Sequence, residues 1–347
     1  TFIVGPEFEF YIFDGIRYLT EPRKAMFEIK AAESNWNSGE EQSLGYKVGY
    51  KGGYHVDAPY DLNRDLRSKI CLLLERNGIN VKYHHHEVGG PGQHEIETNL
   101  DDAVKLADDS MLIKYFIKNL AFQNGKTATF MPKPIYAEAG NGFHVHMQLY
   151  KEGRSIFADD NGYCGLSKDA LYFMGGILQH SPALMGIVSP STNSYKRLTK
   201  GYEAPVAICF GSSNRTAVIR IPAYAKDPDK RRFEFRAPDA SSNVYMVFAS
   251  ILMAGIDGLK NKIDPVTSGF GPVEKNIYDM IEKGKIKFLP ANLEDAISEL
   301  NRDHEFLSAS GVFNEAFIQN WIKIKRNEIL MVNNFPHPKE FELYFDI

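Results

Sequence analysis

Residues 1–13 alternate in a way that only an extended chain can use. Phe8 and Phe10 fall on one face and Glu7 and Glu9 on the other, the period-two signature of a strand with one apolar side. On such a strand the two carboxylates stand roughly 7 Å apart. The same plan returns three times. Tyr83-His84-His85-His86-Glu87 and Gln93-His94-Glu95-Ile96-Glu97 flank Gly89-Gly90-Pro91-Gly92, a turn because Gly supplies positive φ and Pro fixes φ. As a hairpin these segments align His84 with His86 and Glu95 with Glu97, and Glu87 faces the returning strand. Gly140-Asn141-Gly142-Phe143-His144-Val145-His146 is the third case, and Phe233-Glu234-Phe235-Arg236 the fourth.

Between these strands the apolar period lengthens to that of helices. Residues 61–78 carry Leu62, Leu66, Ile70 and Leu73 at helical spacing, with Asp61 as the expected cap and Asn77-Gly78 as the stop. Further helices are expected over 101–124, 167–188, 243–262, about 272–283, 293–301 and 313–332. Residues 14–60 read as irregular functional wall, and Phe341 to Phe345 as a closing strand. The expected fold is α+β: one catalytic domain over 1–347, with an antiparallel curved sheet lining a polar cleft and helices behind it.

Composition narrows the function classes. The chain has 347 residues with a formal net charge of −4, 24% charged and 44% hydrophobic residues, as in ordinary globular proteins. No basic block favours nucleic acid. The longest apolar run, Tyr245 to Ile256, is too short to span a bilayer. Cys71, Cys164 and Cys209 lie in no metal or redox spacing and read as reduced thiols of a cytoplasmic protein. No signal peptide is visible, and a chain that opens on Thr1 without Met is expected to lack an upstream portion.

Each polar face taken alone is equally a solvated strand face, and the histidine pairs equally a zinc site. Collected, Glu7, Glu9, Glu87, Glu95, Glu234 and His144 make an oxygen-rich set that suits Mg²⁺ or Mn²⁺ better than zinc. Arg197, Arg215, Arg220, Arg232 and Arg236 follow nearby in sequence, and arginine favours carboxylate and phosphate. Metal clamp plus phosphate cradle is the parts list of phosphoryl transfer, with no Walker-type or kinase glycine-rich loop.

These blocks resemble the catalytic domain of type I glutamine synthetase from Gly5 to the C-terminus. The matching motifs are Gly-Pro-Glu-Phe-Glu-Phe, Lys-Gly-Gly-Tyr, His-His-His-Glu-Val with Gln-His-Glu-Ile, and Gly-Asn-Gly-Phe-His-Val-His. Asn-Ser-Tyr-Lys-Arg-Leu with Gly-Tyr-Glu-Ala-Pro, Asn-Arg-Thr-Ala and Phe-Glu-Phe-Arg-Ala-Pro-Asp complete them. The resemblance implies that Glu9, Glu87 and Glu95 hold one cation and Glu7, His144 and Glu234 a second, at least two ions in all. It implies that Gly140, Arg197, Arg236 and Tyr54 serve the glutamate and ammonium sites, and that His146, Arg215, Arg220 and Arg232 serve the nucleotide. Glu203 is implied as a flap acid and catalytic residue, with Glu87 and Arg215. The implied reaction joins ammonia to the side-chain carboxylate of glutamate through a γ-glutamyl phosphate, consuming ATP. Homo-oligomers of stacked six-membered rings, and adenylylation at Tyr278 in one branch, are also family properties.

The chain departs from the family pattern at several places. Ala139 stands where Asn usually precedes the glycine of the glutamate loop, and Gln148 where Ser is usual. Ser213 occupies a position often held by Arg, and Asp227-Pro228-Asp229-Lys230 shifts a usual Lys by one. The family's N-terminal β-grasp domain, which lends an Asp to the neighbouring subunit's ammonium site, is expected to be absent from this chain. Ala139 and that Asp keep open a ligase for another amine, a polyamine or alkylamine. A non-catalytic structural or sensing relative is the other alternative.

Overall fold

The polar faces anticipated one by one are laid side by side in a single ten-stranded sheet. The computed structural model describes residues 1–37, 43–199, 204–274, 277, 286–309 and 311–347. Its strands are β1 (Phe2–Phe13), β2 (Gly15–Glu21), β3 (Lys24–Lys30), β4 (Val81–His86), β5 (Gln93–Thr98) and β6 (Asp101–Asp102). They continue with β7 (Thr127–Thr129), β8 (Val145–Lys151), β9 (Arg154–Ser155), β10 (Ala207–Ser212), β11 (Ala217–Ile221) and β12 (Phe233–Phe235). The order across the sheet is β10-β11-β12-β8-β1-β5-β4. All these pairings are antiparallel except β10 with β11, which is parallel.

The register turns alternation into a site. Glu7 stands opposite Glu97 and Glu9 opposite Glu95. His85 also pairs with Glu95, and Glu234 with His146. One polar row therefore crosses the sheet, because residues two apart share a face. The other face is apolar: Phe8, Phe10, Phe143, Phe233 and Phe235 are fully buried. Phe143 meets Phe8 edge-on at 5.2 Å and stacks with Phe248 at 6.2 Å. Each such ring contributes about 1.5–3 kcal/mol by burial, which anchors the strands from behind.

The covering helices are α1 (Arg64–Arg76), α2 (Ala103–Gln123), α3 (Lys168–Val188), α4 (Ser194–Arg197) and α5 (Val244–Asn261). α6 (Leu293–Arg302), α7 (Glu305–Ser308), α8 (Glu315–Asn333) and α9 (Pro338–Tyr344) follow. Asp102 caps α2, accepting from Val104 and Lys105, and Ser167 caps α3. Asp61 is not the cap of α1. That position is Asn63, and Asp61 pairs with buried Arg67 at 2.8 Å.

Two further expectations are overturned. Residues 14–60 are not wholly irregular, since β2 and β3 form a separate two-stranded hairpin. Its two faces are both largely exposed, so no apolar stripe marks it. The tail is helix α9 rather than a strand. Pro338 at the first turn and a capping box between His337 and Glu340 start that helix. Most of the helix expected at 272–283 lies outside the described residues.

Candidate active site

Strand β1 places Glu7 and Glu9 at the centre of the polar row, with β8 on one side and β5 on the other. Glu7 meets both histidines of β8 and the loop before it: His144 Nδ1 at 2.8 Å and His146 Nε2 at 2.9 Å. His144 Nδ1 also lies 3.5 Å from Glu234 and 3.9 Å from Glu9. Across β5, His85 lies 3.6 Å from Glu87 and 3.8 Å from Glu95. Three sets of donors thus converge within 4.8 Å: Glu7 with His146 and Glu234, His85 with Glu87 and Glu95, and Glu7 with Glu95 and Glu97.

The electrostatics are those of crowded acids. Burial, reinforced by Glu9 and Glu7, pushes the Glu87 carboxyl up to about 8. Burial and the charges of Glu7, Glu87 and Glu9 raise Glu95 well above the carboxylate range. Burial opposes ionisation of Glu7 too, but His144 and His146 outweigh it and hold that group well below the usual range. Glu234 is likewise lowered against its burial, with Arg236 at 2.7 Å and Arg220 at 2.5 Å. One oxygen of Glu87 and one of Glu97 are buried without a hydrogen-bond partner. Buried, mutually repelling carboxylates with bare oxygens are the complement of a divalent cation. The residues therefore fit such an ion.

Beside this row lies a cavity of about 330 Å³ walled by Glu9, Tyr54, Glu87, Gly140, His144, Arg197, Arg215 and Arg236. Seven of the residues singled out for cation, glutamate and ammonium contacts, together with Arg215, thus share one space. Gly140 is required there: a Cβ would stand 2.6 Å from the Pro132 oxygen and 2.8 Å from Arg197 Cγ. Arg197 is committed to the main chain, donating to the oxygens of Ala237, Arg236 and Pro238 at 2.9–3.2 Å. It shapes the wall that Arg236 stands in. Arg220 and Arg232 are not in that wall: Arg220 pairs with Glu234 at 2.5 Å, and Arg232 faces Tyr224 at 5.3 Å. Glu203 and Tyr278 lie outside the described residues.

Alternation alone left several members unnoticed. His85 shares the face of Glu87, two residues on, and was hidden by the attention its histidine neighbours drew. Those neighbours point the other way: His84 takes a hydrogen bond from Arg67 at 3.0 Å, and His86 lies 3.3 Å from Glu33. Glu97 aligns with Glu95 by alternation yet lies outside the expected ligand set; it pairs with Lys82 at 2.7 Å. Gln93 is another member that alternation does not single out, fully buried at the start of β5.

The family model for the glutamine synthetase catalytic domain matches residues 1–344. The chain is 47% identical to a glutamine synthetase of Streptomyces filamentosus, over 99% of this chain and 73% of the relative. With that of a Nostoc species it shares 45% identity over 100% of this chain and 74% of the relative. Among solved structures, a Plasmodium falciparum glutamine synthetase superposes with a TM-score of 0.88 at 31% identity, covering 99% of this chain and 75% of that one. A structure described as a GmaS/ADP complex follows at 0.80 and 29%, covering 100% and 73%. The fold and the site define an enzyme of the ligase class built on an acid-lined sheet. The chain belongs to the glutamine synthetase family, and it comprises that family's catalytic domain. Among the described residues no helix is long and apolar enough to cross a membrane.

Proposed function

We propose that the protein joins ammonia to the side-chain carboxylate of glutamate, with ATP cleaved to ADP and phosphate through a γ-glutamyl phosphate. The observation that carries this reading is the shared wall: arginines of a small-molecule cavity and carboxylates of the cation row meet at Glu9, Glu87 and His144. Glu9, Glu87 and Glu95 would hold one Mg²⁺ or Mn²⁺, and Glu7, His144 and Glu234 a second. Bound there, such ions offset phosphate charge and polarise the acceptor carboxylate.

The chain's own groups supply the rest. Arg215, Arg220 and Arg232, with His146, cradle the phosphates and spread the charge that develops on the transferred group. Arg236 and the main chain at Gly140 orient glutamate, with Arg197 holding the 236–238 segment behind them. Tyr54 and Glu87 border the ammonium position. The negative charge of that pocket favours ammonium, and Glu203 is assigned to take a proton from the tetrahedral adduct. Glu203 is assigned to the flap that excludes water from the acyl phosphate. Stacked rings of six are the expected assembly, read out by sedimentation.

The test follows the nitrogen. With ATP, Mg²⁺, glutamate and ¹⁵N-ammonium, ADP release is expected to require both substrates and the label to appear in the amide of glutamine. ADP release supported better by ethylamine or a polyamine would replace ammonia as the acceptor. Failure of ATP and Mg²⁺ to raise the thermal midpoint would instead favour a non-catalytic relative.

A further inference from the structure

His85 stands on β4 with its ring in the cation row. Its Nδ1 lies 3.0 Å from the main-chain oxygen of His86. A carbonyl only accepts, so this contact places the ring proton on Nδ1. Nε2 is left with a lone pair, and its neighbour at 3.8 Å is Glu95 Oε2, another acceptor. Glu87 Oε2 lies 3.6 Å from Nδ1, on the protonated side of the ring, and is itself buried with no hydrogen-bond partner. Acceptors turned on one another out of water are unfavourable unless a cation lies among them.

The ring is also held still. His55 stacks on it at 4.4 Å with 17° between planes, Tyr83 at 5.8 Å with 21°, and Tyr54 meets it edge-on at 5.5 Å. One nitrogen on a carbonyl and the other turned to an ion is the habit of metal-bound imidazoles. Donors about 2.1 Å from a common ion stand roughly 3–4 Å apart; Nε2 and Glu95 Oε2 do so at 3.8 Å, and one atom each of His85, Glu87 and Glu95 fall within 4.8 Å of one another. Glu9, the third carboxylate assigned to this ion, accepts the Gly142 N–H on Oε2 at 2.6 Å.

We infer that His85 is a nitrogen ligand of the cation held between Glu87 and Glu95, and that it biases this position toward Mn²⁺ over Mg²⁺. The inference rests on the metal-dependent reading above. Mg²⁺ takes oxygen donors almost exclusively, whereas first-row transition ions accept imidazole, so one nitrogen shifts the preference without altering the charge of the site.

The test is binding rather than turnover. Chelator-stripped protein and its His85→Asn and His85→Gln variants are titrated calorimetrically with MnCl₂ and with MgCl₂. Loss of tenfold or more in Mn²⁺ affinity at one position is expected, with Mg²⁺ affinity changed less than threefold. Pulsed EPR of the Mn²⁺-loaded variants should lose one imidazole nitrogen coupling present in the parent. Equal losses for both ions, or an unchanged nitrogen coupling, would overturn the assignment. The Gln variant keeps the experiment decisive should the Asn variant not fold. A parent protein that binds neither ion would overturn the metal reading itself, a result distinct from failure at His85.

Discussion

Gln93 donates its carboxamide N–H to the main-chain oxygen of Gly140 across 3.0 Å. The same nitrogen reaches Asn141 Oδ1 at 2.9 Å, and its oxygen accepts from the Gly89 N–H at 2.8 Å. One fully buried side chain thereby ties the turn behind Glu87 to the glycine wall of the arginine-lined cavity. Gln93→Glu keeps the acceptor but turns the donor into a second acceptor facing two more. A stability loss of about 1–3 kcal/mol is expected. The glutamate KM should rise about tenfold, corresponding to about 1.4 kcal/mol, while the ATP KM stays within twofold. Equal rises in both constants would mean that Gln93 merely holds the fold.

The glycine turn itself can be probed at Gly92. Its φ is +92°, and a Cβ would come within 2.6 Å of the Ile12 oxygen and 2.8 Å of Glu33 Oε1. Gly78 has a similar φ of +79° with nothing within 4 Å. Gly78→Ala should therefore cost about 1–2 kcal/mol from backbone conformation alone. Gly92→Ala should cost about 2–4 kcal/mol, since overpacking adds to the same strain. Urea unfolding of the two variants isolates the clash; equal losses would show that the turn relaxes freely.

Behind the cation row, Phe143 is fully buried between Phe8 and Phe248. Phe143→Ala is expected to cost about 3–5 kcal/mol, and Phe143→Leu substantially less because most of the volume remains. His144 follows it directly, so the milder variant should also weaken divalent-cation binding measured by calorimetry. Unchanged cation affinity in Phe143→Leu would show that the His144 backbone is held by β1 alone, through its oxygen and the Glu7 N–H at 2.9 Å.

Local pattern exposed the polar row because strand alternation is a short-range rule. Glu7, Glu9, His144 and Glu234 could each be placed on a face from two or three neighbours. What alternation cannot supply is register, and register is what brings Glu234 opposite His146 and Glu95 between Glu9 and His85. The parallel pairing of β10 with β11 was equally hidden, since it depends on the path of the intervening chain rather than on side chains. The β2–β3 hairpin escaped because both its faces are wet. Arg197 read as a substrate-binding arginine; that its terminal nitrogens also donate to backbone oxygens is set by tertiary approach, which no local pattern announces. The tail misled because its aromatic residues suit a strand, while the Pro338 start and its cap favour helix.

Far from the cleft, His180 of α3 is held between two acids from other elements. Its Nδ1 lies 2.8 Å from Asp303, just beyond α6, and its Nε2 3.1 Å from Asp257 of α5. The ring also stacks on Phe306 at 4.0 Å. Burial disfavours the charged ring, but Asp303 and Asp257 outweigh it and raise the pKa above the ordinary 6.5. A histidine whose folded pKa is raised contributes stability that is complete below its unfolded pKa and is lost as pH rises through the folded one. The advantage of the parent over His180→Gln should therefore be largest below about pH 6.5 and shrink on going alkaline. Urea unfolding of both proteins from pH 5.5 to 9 reads this difference directly, because titrations common to the two cancel. A gap independent of pH would mean that His180 ties the three helices as a neutral ring, by packing on Phe306 and not by charge.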